Sequence, residues 1–152
     1  MVTEDYAVAL NPEENMCFAC SPRNPIGLKL SFEEEDGVVR AVFVVRPEHQ
    51  GWPGHLHGGL IATLCDEAMA QWLWRRGVEA YTGELAVRFK KGVPVGAVLE
   101  VRAELVEVRR KMAILGATVL FLDGAVAATA TGKFICATTP DVATQKETVK
   151  VK

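Results

Sequence analysis

Apolar and polar residues alternate over LKLSFE, with Leu28, Leu30 and Phe32 set against Lys29, Ser31 and Glu33. A period of two marks a half-buried strand. EDG at 35–37 is a turn signal of the Asp-Gly type, and VVRAVFVV (38–45) is β-branched and apolar on both faces, so the two runs read as a hairpin. A loop punctuated by Pro47, Gly51, Pro53 and Gly54 follows. From Gly58 to about Arg76 the period becomes helical. Ile61, Leu64, Cys65, Ala68 and Trp72 fall on one arc, which Leu60, Ala62, Met69 and Leu73 widen. So much apolar surface predicts a central, enclosed helix, ended by Arg75, Arg76 and a capping Gly77.

Further strand-like runs follow. Leu85, Val87 and Phe89 alternate with Glu84, Arg88 and Lys90. Leu99, Val101, Ala103 and Leu105 alternate with Glu100, Arg102 and Glu104; the apolar phase then moves to Val106 and Val108, which predicts a β-bulge near 105–106. MAILGATVLFL (112–122), the turn LDG and the alternating AVAATATGKFICA complete the series. The order β-β-α-β-β-β-β predicts an α+β fold, an antiparallel six-stranded sheet around one helix. The expected organisation is an irregular lead-in over 1–27, one domain over 28–137 and a polar, disordered tail over 138–152.

Composition changes this picture little. With 152 residues, 49% hydrophobic and 24% charged, the chain has room for one real core. A net charge of −2 provides no global field for nucleic acid or an anionic membrane, so neither is expected as a partner. No apolar run approaches the roughly 20 residues of a membrane span. The acidic start MVTEDYAVALNPEEN lacks a signal-peptide core, so a cytoplasmic location is expected. Cys65 and Cys136 lie in apolar runs as buried free thiols. Cys17 and Cys20 form a single CxxC with no second pair; zinc usually takes four ligands, so no metal is expected unless other residues join them.

This order of elements, with HGG opening the buried helix, resembles the hotdog-fold acyl-CoA thioesterases of the PaaI-like group over residues 17 to 137. The resemblance rests on CFACSPRNPIGLKLSF, on GHLHGGLIATLCDEAM with its acid nine residues after the His, and on TGELAVRFKKGVPVG. It implies a sheet wrapped around one helix, active sites at a homodimer interface, frequent pairing into tetramers, and no cofactor, coenzyme A being part of the substrate.

Thioester hydrolysis needs a polarised carbonyl oxygen and an attacking water or carboxylate. A helix start offers free N–H groups and partial positive charge, and Gly58 and Gly59 leave them unobstructed, which makes an oxyanion site. The alternative is steric, with glycines allowing close packing. Asp66 lies seven residues after Gly59, about 10 Å along a helix axis, too far to share one carbonyl carbon with its own helix start. The resemblance implies that Asp66 faces the glycine N–H of the other protomer as general base or nucleophile. Glu67 is rotated by about 100° from it and has no assigned role.

By the same resemblance Thr82 holds the water or orients the acid, although Thr is also simply a good strand residue. His57 caps the site, orients the carbonyl or holds the HGG turn, with proton transfer as an alternative, while His49 and His55 read as loop residues. In part of that group an Asn several residues before HGG positions water; here the loop reads HQGWPG, and the resemblance makes Gln50, the nearest amide, the candidate for that task. Arg88, Lys90 and Lys91, or Arg109, Arg110 and Lys111, are candidates for coenzyme A phosphates, against the alternative of solvated strand ends. Trp52, Trp72, Trp74 and Phe89 are candidates for an acyl pocket or for the core. The expected activity is acyl-CoA hydrolysis. The rivals are a non-catalytic acyl-CoA binding module and a hotdog dehydratase, whose His and acid arrangement this helix does not match.

Overall fold

The computed structural model describes residues 13–141. The strands are β1 (Phe32–Glu35), β2 (Val38–Val44), β3 (Ala80–Phe89), β4 (Val98–Arg109), β5 (Met112–Phe121) and β6 (Val126–Cys136), with one α-helix, α1 (Gly58–Trp74). All strand pairs are antiparallel, in the spatial order β1-β2-β4-β5-β6-β3. β2 and β3 are consecutive in sequence yet lie far apart in the sheet. Their connection is α1, which therefore crosses the sheet face and buries Ile61, Leu64, Cys65, Ala68, Met69, Trp72 and Leu73 on it. Val39, Phe43, Leu99, Val101, Leu115, Val119 and Phe134 of the sheet complete the core. No helix among the described residues is long and apolar enough to cross a membrane.

The periodicity reads correctly in most places. Asp36 and Gly37 both have positive φ (51° and 77°), the geometry of a tight hairpin turn between β1 and β2. The helix ends where Gly77 adopts φ 67°: its N–H donates to the Trp74 carbonyl and that of Val78 to the Leu73 carbonyl, which uses two otherwise unpaired helix carbonyls. Arg76 donates to the Trp72 carbonyl, stacks on the Trp72 ring at 3.6 Å and pairs with Glu34, tying β1 to the helix end. The bulge in β4 falls at the expected place, between Leu105 and Glu107. Val106 is the bulged residue and is 64% exposed; Val108, opposite buried Ala113, carries the inward phase.

One strand begins later than expected. Residues 28–31 are not strand, because Lys29 has a left-handed φ of 52°. The alternation there still reports burial, since Leu30 is buried, but the backbone bonds run to the lead-in: Leu28 N–H to Phe18 O at 2.8 Å and Leu30 N–H to Ala19 O at 2.9 Å. The lead-in thus docks on the domain through Ala19 and Ser21, both buried. The expected tail over 138–152 lies mostly outside the described residues, which end at 141.

Candidate active site

The loop before α1 is tied down from several sides. Buried His49 accepts the Arg46 N–H on Nδ1 at 3.0 Å and packs on Phe43 with ring centroids 4.8 Å apart; burial lowers its pKa. His57 N–H donates to His49 O at 2.9 Å. His57 then becomes the helix N-cap, its Nδ1 accepting the Gly59 N–H at 2.8 Å. An accepting Nδ1 carries no proton, so the neutral ring holds its proton on Nε2. The two glycines therefore differ. Gly59 N–H is used by its own cap, whereas the Gly58 N–H has no partner among the described residues. Gly58 opens into a cleft of about 500 Å³ together with His57, Gln50, Trp52 and Leu56. His57→Ala is expected to lower unfolding free energy by about 1 kcal/mol, the scale of a lost N-cap. His57→Asn should retain most of it, as read by denaturant unfolding.

Asp66, half-buried in the middle of α1, accepts a hydrogen bond from the Thr82 hydroxyl at 2.7 Å. A break in register sets this up. Thr82 pairs with Phe134 and Glu84 with Lys133, so Gly83 is an extra residue. Leu85 and Val87 lie opposite Gly132 and Ala130, on the same face of β6 as Phe134, and without the bulge Thr82 would point away from the helix. The bulge turns its hydroxyl inward to Asp66. A Cβ on Gly83 would approach Lys133 O to 3.3 Å and Ile135 Cγ1 to 3.2 Å, so glycine suits this crowded position.

Beyond the helix mouth, Phe89 packs against Gly58: a Cβ there would lie 3.4 Å from its ring. Arg88, Lys90 and Lys91, next to Phe89 in the chain, are all exposed, and the Lys91 ammonium lies 5.2 Å from the centre of the Phe121 ring. Arg109, Arg110 and Lys111 lie at the β4–β5 turn, near the opposite end of β6, and Arg109 is engaged by Glu107 at 2.6 Å. Gln50 lines the mouth, but its amide donates to Pro47 O at 2.8 Å and its oxygen accepts the Gly54 N–H, so it braces its own loop. Trp72 is core, its Nε1 donating to Gly37 O at 3.0 Å; Trp52, 85% exposed, and Phe89 are the aromatics at the mouth.

A family model described as Thioesterase superfamily matches residues 53–128, from the loop before α1 into β6. The chain belongs to the thioesterase superfamily. This thioesterase-superfamily chain has the hotdog fold, with the helix enclosed by its sheet. It is 31% identical to the mouse acyl-coenzyme A thioesterase THEM4 over 105 residues, 61% of this chain and 45% of that protein. It spans less than half the length of the mouse relatives THEM4 and THEM5. Its structure is similar to that of RHA08564, a thioesterase superfamily protein, at 26% identity and TM-score 0.74, covering 78% of this chain and 62% of that one. A hypothetical thioesterase from Streptococcus pneumoniae, solved with coenzyme A, shares the fold at 21% identity and TM-score 0.68, covering 74% of this chain and 91% of that one.

Glu67, unassigned in the sequence, faces the lead-in of this thioesterase-superfamily chain. Its Oε1 accepts from Gln71 Nε2 at 3.0 Å, and its Oε2 lies 3.8 Å from Cys17 Sγ. Cys20 N–H donates to Cys17 Sγ at 3.4 Å. A hydrogen bond from the Cys20 thiol lowers the Cys17 pKa to about 6 against the opposing effects of burial and Glu67, while the same bond pushes Cys20 strongly up. Cys65 and Cys136 are buried free thiols, as expected, Cys65 pushed up to about 12 by burial. Neither the Gly83 bulge nor the Glu67 cluster was recognised from sequence. A glycine inside a strand pattern was a usable signal for the first; the second joins residues 50 apart and had none.

Proposed function

We propose that this chain hydrolyses acyl-CoA thioesters to a free acid and coenzyme A, in sites shared by two copies of itself. The observation that carries the proposal is the Thr82–Asp66 hydrogen bond at the free edge of the sheet, separated along α1 from the Gly58 mouth. Asp66 is seven residues beyond Gly59, about 10 Å of rise, so one chain's carboxylate and its own helix mouth do not meet on one carbonyl carbon. A second chain supplies the missing half. The two sheet edges differ in a way that favours this. β1 has four residues, FEEE, a short acidic edge that resists pairing. β3 has ten residues without proline and exposes Tyr81 and Phe89, an edge suited to antiparallel pairing with another β3. Pairing there brings Asp66 and Thr82 of one copy towards the glycine mouth of the other.

In such a site the Gly58 N–H, at the positive end of α1, holds the carbonyl oxygen as negative charge develops on it. Asp66 takes a proton from water as its oxygen bonds to the carbonyl carbon. Collapse then breaks the C–S bond, releasing coenzyme A as a thiolate that is protonated from solvent. Direct attack by Asp66, with an anhydride hydrolysed by water, uses the same groups. Arg88, Lys90 and Lys91, next to Phe89 in the chain, suit the coenzyme's phosphates. Support for coenzyme A as the substrate handle comes from the name of the mouse relative and from the Streptococcus pneumoniae protein.

Release of free thiol from a panel of acyl-CoAs tests the proposal; tight binding without release would instead indicate a binding module. Thr82→Val keeps a good strand residue but removes the donor to Asp66. It is expected to lower kcat about 10-fold or more, the scale of one hydrogen bond to a charged group. Thr82→Ser should restore activity; equal loss in both variants would show that the hydroxyl is not what matters.

A further inference from the structure

The lead-in and the outward side of α1 meet at a cluster the reaction above does not use. One donor atom from each of Cys17, Cys20 and Glu67 lies within 4.8 Å of the others. We propose that Cys17, Cys20 and Glu67 form a zinc(II) site that clamps the N-terminal segment onto α1, with a fourth position open to water. Two thiolates and a carboxylate are three of the four ligands of a tetrahedral zinc, and sulfur selects zinc over calcium or magnesium. Zinc–sulfur bonds of about 2.3 Å and zinc–oxygen bonds of about 2.0–2.2 Å place tetrahedral donors roughly 3.5–3.8 Å apart. Cys17 Sγ and Glu67 Oε2 are already 3.8 Å apart, so closing the set takes shifts of about 1 Å or less.

The surroundings orient the ligands. Gln71, one turn along α1, holds Oε1 of Glu67 and leaves Oε2 aimed at Cys17. Ligand carboxylates are commonly steered by such outer hydrogen bonds. The Cys20 N–H points at Cys17 Sγ, and Ser21 N–H closes the CxxC turn onto Cys17 O at 3.0 Å. The turn is itself locked to the body through Phe18 O and Ala19 O. A Cβ on Gly27 would lie 2.8 Å from Phe18 O, so glycine is what lets the chain pass behind the turn. Among the described residues Glu67 has no ion pair; its partners are Gln71 and the cysteine. An open cleft of about 450 Å³, bordered by Asn15, Cys20 and Gln71, gives solvent a path to the fourth position. A disulfide between the cysteines would leave the carboxylate's orientation towards them without a purpose, whereas a dication uses all three groups.

The test uses the full chain, reduced and stripped of metal, titrated with zinc against a chelating indicator. One ion per chain is expected, and cobalt in its place should give tetrahedral bands with charge transfer from two thiolates. Zinc should protect the Cys17–Cys20 peptide from alkylation until a chelator is added. Cys17→Ser and Cys20→Ser should abolish stoichiometric uptake. Gln71→Ala, which removes no ligand, should weaken it about 10–100-fold. Glu67→Gln should weaken it too, so two helix variants remain informative if the serine variants do not fold. The proposal is overturned if the reduced chain takes up no zinc, if uptake survives the serine variants, or if cobalt reports a single thiolate. A Cys17–Cys20 disulfide that, once reduced, binds no zinc also overturns it. None of these readouts depends on thioesterase activity.

Discussion

Asp66→Asn is expected to lower kcat for acyl-CoA hydrolysis by about 10²–10⁴-fold, the usual contribution of a positioned base. The substitution keeps size and shape. The asparagine amide would still present an oxygen to the Thr82 hydroxyl, which now approaches Asp66 Oδ1 at 2.7 Å, so the β3–α1 contact survives. What disappears is the negative charge and the ability to take a proton or attack carbon. KM should therefore change far less than kcat, and the far-ultraviolet spectrum and oligomer size should not change. A folded Asn variant with full activity removes Asp66 from the reaction. Single-turnover hydrolysis in heavy-oxygen water tests for a covalent role: label appearing in Asp66 requires an anhydride opened by water at the Asp66 carbon and excludes simple general-base catalysis.

Gly58→Pro is expected to cost about 10²–10³-fold in kcat, the scale of one lost oxyanion donor. Gly58 is the first helical residue, where proline is well tolerated because its missing N–H has no helical partner. His57 already has the extended backbone (φ −61°, ψ 131°) that precedes proline comfortably. Gly58→Ala is the control. It keeps the N–H, its φ is not left-handed, and its Cβ would meet the Phe89 ring at an ordinary 3.4 Å. Alanine should retain most activity where proline loses it; equal loss would mean the position matters for space rather than for its donor. The two inactive variants also test the shared site. In an Asp66→Asn/Gly58→Pro heterodimer one of the two sites contains both native groups. Random exchange makes half the dimers mixed, so about a quarter of wild-type activity should return on mixing. No recovery despite exchange would place both groups of a site in one chain.

The sequence by itself determined most of the elements and placed the two glycines and the acid on one helix. A helix apolar on most of its circumference has to be enclosed, and period-two runs with Asp-Gly turns have to be antiparallel strands, so the fold class follows from burial alone. The phase flip near 105–106 gave the β4 bulge for the same reason. The nine-residue spacing from His57 to Asp66 fixed the separation of mouth and acid, because helical rise depends only on residue count. Tertiary structure decided what depends on pairing. Lys29's left-handed backbone gave the first alternating run to the lead-in instead of the sheet. Gly83's bulge turned Thr82 towards Asp66, which local alternation does not show. His57 took the Gly59 N–H and left Gly58's without a partner among the described residues, a choice of rotamer invisible in the letters HGG. Glu67 gained Cys17 and Cys20 as neighbours only when the lead-in folded back across α1. Periodicity records which side of an element is buried; which distant residue meets it is set by how the elements pack.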